Sequence, residues 1–319
     1  MKGLAVIVSM AGVLLSVDRA DWSPCAPLPL ARAGYAGGVL GGKLVVAGGS
    51  SWAGQTKTRV KQVDAYLPGC NCWQPEAAMP DAVSDAASTV ADGQLFVVGG
   101  SSTAGASDRV YSFDGASWRE RPEMTLPEPR TNGMAVTAGR RILLIGGLQR
   151  PADTLSGLRT SWIWNLDRPQ DGWKPLPLCP CLPRASAAAV VVNGRLQLAG
   201  GLRADQAGVE NLSDLWELDL ASMQWRAQGH LPEGRRAMWG AAALDGMVLF
   251  GGYTDDFRRD ILFVHGGRAT SAGELPFSVA DAKVFELDGR WYVAGGEIGV
   301  RQRGSEMWSA KIALPGDRH

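Results

Sequence analysis

The sequence predicts an all-β protein built as a six-bladed β-propeller with four antiparallel strands per blade, and two observations carry that prediction. Gly-Gly pairs recur at 48–49, 99–100, 146–147, 200–201, 251–252 and 295–296, with successive spacings of 51, 47, 54, 51 and 44 residues. Such a period marks repeats that stack to share a core. Each pair also ends a short apolar run: KLVVAGG, QLFVVGG, RILLIGG, RLQLAGG, MVLFGG and RWYVAGG. These runs are too short and too apolar for surface helices, so they read as buried strands.

In chain order, each repeat supplies the remaining strands. A two-residue turn precedes the apolar run: Gly41-Gly42, Asp92-Gly93, Gly139-Arg140, Asn193-Gly194, Asp245-Gly246 or Asp288-Gly289. Asn-Gly and Asp-Gly favour tight hairpins because both central residues tolerate positive φ. Upstream lie small-residue strands such as AGYAGGVL, AASTVA and ASAAAVVV, suited to an innermost strand where blades crowd around an axis. Downstream comes a third strand, for example RVYSFD or DLWELDL, and then Trp73, Trp118, Trp173 or Trp225, which read as blade-packing residues. The fifth repeat lacks its tryptophan around Arg268, and the sixth ends at its third strand, EMWSAKI. At the other end, DWSPCAPLP from Asp21 reads as a fourth strand without its first three. The N-terminal segment is therefore expected to complete the last blade and close the ring, which removes exposed sheet edges. Closure implies one domain over residues 21–319. Hairpin turn, apolar strand, Gly-Gly, third strand and tryptophan, recurring in that order, resemble the kelch repeat over essentially all of the expected mature chain.

With 319 residues, 45% hydrophobic and 20% charged, the chain can bury a large core. Its 32 basic residues balance 32 acidic ones, so no nucleic-acid partner is expected. Residues 1–20, MKGLAVIVSMAGVLLSVDRA, place Lys2 before an apolar run shorter than a membrane-spanning helix needs. They read as a signal peptide, which implies a periplasmic or secreted protein with no membrane span after its removal, an uncleaved anchor being the competing reading. The five cysteines, Cys25, Cys70, Cys72, Cys179 and Cys181, contain no Cys-x-x-Cys pair, which argues against structural zinc. Closing a ring within Cys-x-Cys is strained, so disulfides between segments, or buried free thiols, are expected. His230, His265 and His319 form no cluster in the sequence, and neither a metal nor an organic cofactor is expected.

In a four-stranded antiparallel blade, the loop after the second strand and the connection to the next blade emerge on the same face. Every segment after a Gly-Gly pair and every Leu-Pro stretch therefore meets on one rim, where function collects. The stretches read LPLAR to Arg32, LPEPR to Arg130, LPR to Arg184 and LPEGRR to Arg235 and Arg236, while MPDAVSD and LPFSVAD break the series. As a group these arginines favour an anionic ligand, because a guanidinium binds a carboxylate bidentately. Taken singly, each is more readily a structural bridge between blades. Trp52, after the first Gly-Gly pair, and Trp239, at an inner-strand start, are placed to reach a central pocket.

Three segments, GYAGGVLGGKLVVAGG at 34–49, DDFRRDILFV at 255–264 and GGEIGVRQRGSEMW at 295–308, resemble the cyclically permuted mutarotases, relatives of the bacterial N-acetylneuraminate mutarotases. That family has Gly-Glu, an arginine six residues on and a closing aromatic residue, matched by Glu297, Arg303 and Trp308. Ser50-Ser51-Trp52 replaces its Asn-Phe-Pro-like segment, and Arg301 adds a second basic candidate. The resemblance implies a mutarotase that interconverts the anomers of a sialic-acid-like sugar acid. Glu297 would take the anomeric hydroxyl proton and return it to the ring oxygen. Arg303 would hold the substrate carboxylate, with Arg32, Arg130, Arg184, Arg236 and Arg301 as a wider binding ring. The alternatives are a non-catalytic carbohydrate-binding propeller and a protein-interaction propeller.

Overall fold

A computed structural model describes residues 20–314, so nearly all of the expected signal segment lies outside the described residues. Six four-stranded antiparallel sheets radiate from one axis. Blade 1 runs outward as Ala36–Leu40, Lys43–Ala47, Val63–Leu67 and Cys72–Pro75. Blades 2 to 5 repeat that order from the innermost strands Ala87–Ala91, Met134–Ala138, Ala188–Val192 and Trp239–Ala243. Blade 6 starts at Lys283–Leu287, and its outermost strand is Ser23–Cys25, which pairs with Met307–Ala310 in the register Ser23↔Ser309 and Cys25↔Met307. The N-terminal segment thus closes the ring, as the sequence predicts.

The core is six wedges, one between each pair of neighbouring blades. Phe96 and Val98 of blade 2, for instance, pack on Ile142, Leu144 and Trp164 of blade 3, and Leu44 and Val46 of blade 1 pack on Tyr292 and Ala294 of blade 6. Each fully buried aliphatic side chain contributes about 1.5–3 kcal/mol, so every blade depends on both neighbours. The repeat tryptophans reinforce the wedges. The indole Nε1 of Trp73, Trp118, Trp173 and Trp225 donates a 2.8 Å hydrogen bond to Ala26, Ala77, Met124 and Pro177 O, respectively, on the preceding blade. Trp22 does the same to Glu274 O at 2.8 Å and is blade 6's repeat tryptophan, carried by the N-terminal strand.

Two local expectations are corrected. In blade 5, Ala243 pairs with Gly246, so the hairpin turn is Leu244-Asp245 rather than Asp245-Gly246. Gly246 opens the second strand, at a position where a Cβ would lie 2.4 Å from Val264 O. The cysteines pair within their segments: Cys70 joins Cys72 and Cys179 joins Cys181, leaving Cys25 free. Asn71, at φ 48°, folds the backbone back and brings the Cys70 and Cys72 Cα atoms to 5.3 Å, inside the range a disulfide spans. The helices among the described residues are three-residue 3-10 turns, and none is long and apolar enough to cross a membrane.

Candidate functional site

Where each innermost strand begins, one residue per blade adopts the left-handed conformation: Gly34, Asp85, Asn132, Ser186, Ala237 and Asp281, with φ from 49° to 60°. These six residues hydrogen-bond in a closed ring. Asp85 N donates to Gly34 O at 2.7 Å, Asn132 N to Asp85 O at 2.8 Å, Ser186 N to Asn132 O at 2.9 Å, Ala237 N to Ser186 O at 2.8 Å, Asp281 N to Ala237 O at 2.9 Å, and Gly34 N to Asp281 O at 3.3 Å. A left-handed non-glycine residue costs roughly 1–2 kcal/mol. The ring offsets that cost by pairing backbone groups that crowding at the axis would otherwise strand. Gly34 is the glycine the site requires, because a Cβ there would lie 2.2 Å from Asp85 Oδ1.

The ring frames the mouth of the axial channel and places two carboxylates on it. Asp85 receives Lys57 Nζ at 3.3 Å and Ser84 Oγ at 2.8 Å. Asp281 is pushed up to about 7, first by burial and then by the negative charges of Asp85 and Glu297, against the opposing pull of Arg303 and Lys57. Glu297 adjoins it, since its backbone N donates to Ala280 O at 2.7 Å. Glu297 Oε1 lies 2.7 Å from Arg303 Nη1, and the arginine side chain is only 7% exposed. Neither Nε nor Nη1 of Arg303 makes a directed hydrogen bond, so the contact is one of charge alone.

A second group bridges the hairpins of blades 6 and 1. The Arg301 guanidinium lies 5.5 Å from the Trp52 ring centroid and its Nη1 donates to Gln55 Oε1. Glu297, Arg303, Arg301 and Trp52 are therefore neighbours on the rim. Glu297 is the sole charged residue at its place, where the other blades carry Ser50, Ser101, Leu148, Leu202 and Tyr253. Arg303 is less exceptional: Arg59 occupies the matching position opposite Ser50 in blade 1.

Three residues expected in the binding ring are elsewhere. Arg32, Arg130 and Arg184 are buried between blades, 0%, 1% and 2% exposed, and belong with Arg235 rather than with Arg236. Each, like Arg235, donates to the carbonyl of the first glycine of a Gly-Gly pair sixteen residues on: Gly48, Gly146, Gly200 and Gly251. Each also holds an acid: Asp64, Glu128, Asp214 and Asp260, respectively. Buried between blades, with their Nη groups on carbonyls and acids, they act as structural clamps rather than as part of the rim. Arg236 does reach the rim, over the Tyr253 ring at 4.4 Å, with Nη1 2.6 Å from Asn211 Oδ1. Trp239 turns into the channel, where Lys283 Nζ lies 3.9 Å from its ring centroid. Asp85, Asp281, Lys57 and Lys283 escape sequence reasoning, although a signal exists. MPDAVSD and LPFSVAD, the two stretches that lack the clamp arginine, are the two that end in the mouth aspartates.

The family model for the kelch motif matches residues 31–80 and 82–125, spans that contain blades 1 and 2. Blades 1 and 2 thus carry kelch motifs within the six-bladed propeller. Its sequence is 30% identical over 174 residues to Kelch-like protein 35 of Mus musculus, covering 54% of this chain and 28% of that one. It is 35% identical over 133 residues to Kelch-like protein 25 of Homo sapiens, covering 40% of this chain and 23% of that protein. Beta-scruin of Limulus polyphemus is 28% identical over 161 residues, 47% of this chain and 17% of its own. The chain thus matches less than a third of each relative's length.

Proposed function

We propose that this kelch propeller is a recognition module that docks a partner protein on the rim formed by the post-Gly-Gly loops. The supporting observation is the distribution of exposed apolar side chains. Seven large hydrophobic residues are exposed among those described: Leu155, Leu178, Leu182, Val209, Leu244, Ile298 and Val300. All but Leu244 lie on this one face, in post-Gly-Gly loops or blade connections, and Val300 is 76% exposed. Exposed apolar residues gathered on one face, with Ile298 and Val300 in the same loop as Arg301 of the Trp52–Arg301 pair, suit a protein interface. The homology to kelch-like proteins is in keeping with this reading. Tagged wild-type protein, the double variant Ile298→Asp with Val300→Asp, and Leu244→Asp are compared for the proteins they retain. The partner is expected with wild type and Leu244→Asp and lost from the double variant. Retention by the double variant overturns the reading.

One observation favours a second reading, a sugar-acid mutarotase. Asp281, held near 7, can take and return a proton at neutral pH, and Arg303 has buried donors free of directed hydrogen bonds 2.7 Å from Glu297. In that reading Arg303 holds the substrate carboxylate while Asp281 and Glu297 share the proton transfers of ring opening. Fresh β-N-acetylneuraminate followed by NMR decides it. Acceleration lost in Glu297→Ala or Asp281→Asn supports catalysis, and no acceleration by wild type removes it.

A further inference from the structure

Below the ring, the innermost strands enclose an axial cavity of about 320 Å³, lined mostly by glycine, alanine and valine, with two methionines and three hydroxyl side chains beside Trp239 and Lys283. At the repeat position two residues past the ring, blades 1, 2 and 4 carry Ala36, Ala87 and Ala188, and blade 3 carries Met134. Blades 5 and 6 instead carry Trp239 and Lys283, which meet at 3.9 Å. Lys283 is 8% exposed, its ammonium makes no hydrogen bond or ion pair among the described residues, and it is the sole charged residue lining the cavity. A buried ammonium without a partner is costly, and a tryptophan face offsets only part of that cost.

We propose that the axial channel binds one small aliphatic monocarboxylate, with the Lys283 ammonium as its anchor and Trp239 fixing that ammonium in place. A monoanion is matched to a single cation, whereas a dianion would leave one charge buried and unpaired. The hydroxyls nearby are already engaged: Thr89 and Thr137 bond each other at 2.8 Å, Thr137 also bonds Val90 O, and Ser88 Oγ receives Gly37 N at 3.2 Å. The ligand therefore finds one charged donor and a surface of small apolar side chains, which suits a carboxylate with a short hydrocarbon tail.

Burial lowers Lys283 to about 7, against the raising influence of Asp281. Binding a carboxylate favours the ammonium, so it draws a proton onto Lys283. The acids near it are on the mouth side, Asp281 from its own strand's approach and Asp85 from blade 2, while the strands around the cavity add none. This site is independent of the rim and of the function assigned to it.

The test is a titration of the whole protein with propionate by NMR and calorimetry from pH 6 to 9. Wild type is expected to bind at one site, with affinity falling up to about tenfold per pH unit above pH 7. Lys283→Met is expected to lose at least about tenfold in affinity, and Trp239→Phe to bind more weakly than wild type. Asp281→Asn is expected to keep the binding but to move the fall in affinity to lower pH, because the negative charge that raises Lys283 is gone. Thermal unfolding checks that each variant is folded. Equal binding by wild type and folded Lys283→Met, or no saturable binding by wild type, overturns the proposal.

Discussion

Arg184 Nη1 donates a 2.9 Å hydrogen bond to Gly200 O, sixteen residues away. The same guanidinium grips Asp214 through two bonds of 2.9 and 2.7 Å. The arginine fixes the backbone exit of the Gly-Gly pair, and the acid keeps its charge compensated. Removing one partner of a buried pair strands the other, at a cost of about 3–5 kcal/mol. Arg184→Ala is therefore expected to lower the stability measured by urea denaturation on that scale. Arg236→Ala, on the rim, is expected to change it by less than about 1 kcal/mol.

Ring closure depends on a segment of three residues. Deleting residues 1–25 removes Ser23–Cys25 and the Trp22 hydrogen bond to Glu274 O, and leaves Met307–Ala310 as an open edge. The truncated protein is expected to melt at lower temperature and to self-associate in light scattering. An unchanged melting temperature would contradict closure by this strand.

Stability should have opposite pH slopes on either side of neutrality. Between pH 3.8 and about 7 the folded protein keeps the Asp281 proton that the unfolded chain has released, so this contribution falls as pH rises. Between about 7 and 10.5 the unfolded chain keeps the Lys283 proton that the folded protein has released, so this contribution rises with pH. Each slope is at most about 1.4 kcal/mol per pH unit. Denaturation across pH should show Asp281→Asn flattening the acid limb and Lys283→Met flattening the alkaline one.

Gly34→Ala probes the mouth directly. The added Cβ meets Asp85 Oδ1 at 2.2 Å and must occupy φ 60°, so the carboxylate is displaced from the ring. A loss of about 1–3 kcal/mol is expected. The Asp281 titration, followed by NMR, should shift downward, because one of the negative charges that raise it moves away.

The six-fold rhythm was legible because each repeat spends its identity on the same local needs. Gly-Gly lets the chain turn against a neighbouring blade, small residues crowd the axis, and tryptophan reaches back one blade. Arg32, Arg130 and Arg184 show where that legibility stops. Their Leu-Pro context places them correctly in the chain, but the direction of a guanidinium depends on carbonyls and acids sixteen or more residues away. The mouth aspartates were hidden for the converse reason. Asp85 and Asp281 look like loop residues until the ring of backbone hydrogen bonds brings them together across four intervening blades' worth of sequence. Cys70 and Cys72 turned on a single left-handed residue, Asn71, which no spacing rule reveals.

The central claim is that the post-Gly-Gly rim is a protein-binding face, and site-specific photo-crosslinking in the native host tests it most directly. A photoreactive residue is placed at Val300, 76% exposed on the rim, and in a second protein at Leu244, 53% exposed on the opposite face. The account predicts a discrete crosslinked partner from position 300 and none from position 244. Crosslinks from position 244 alone, or none from either position, would contradict it.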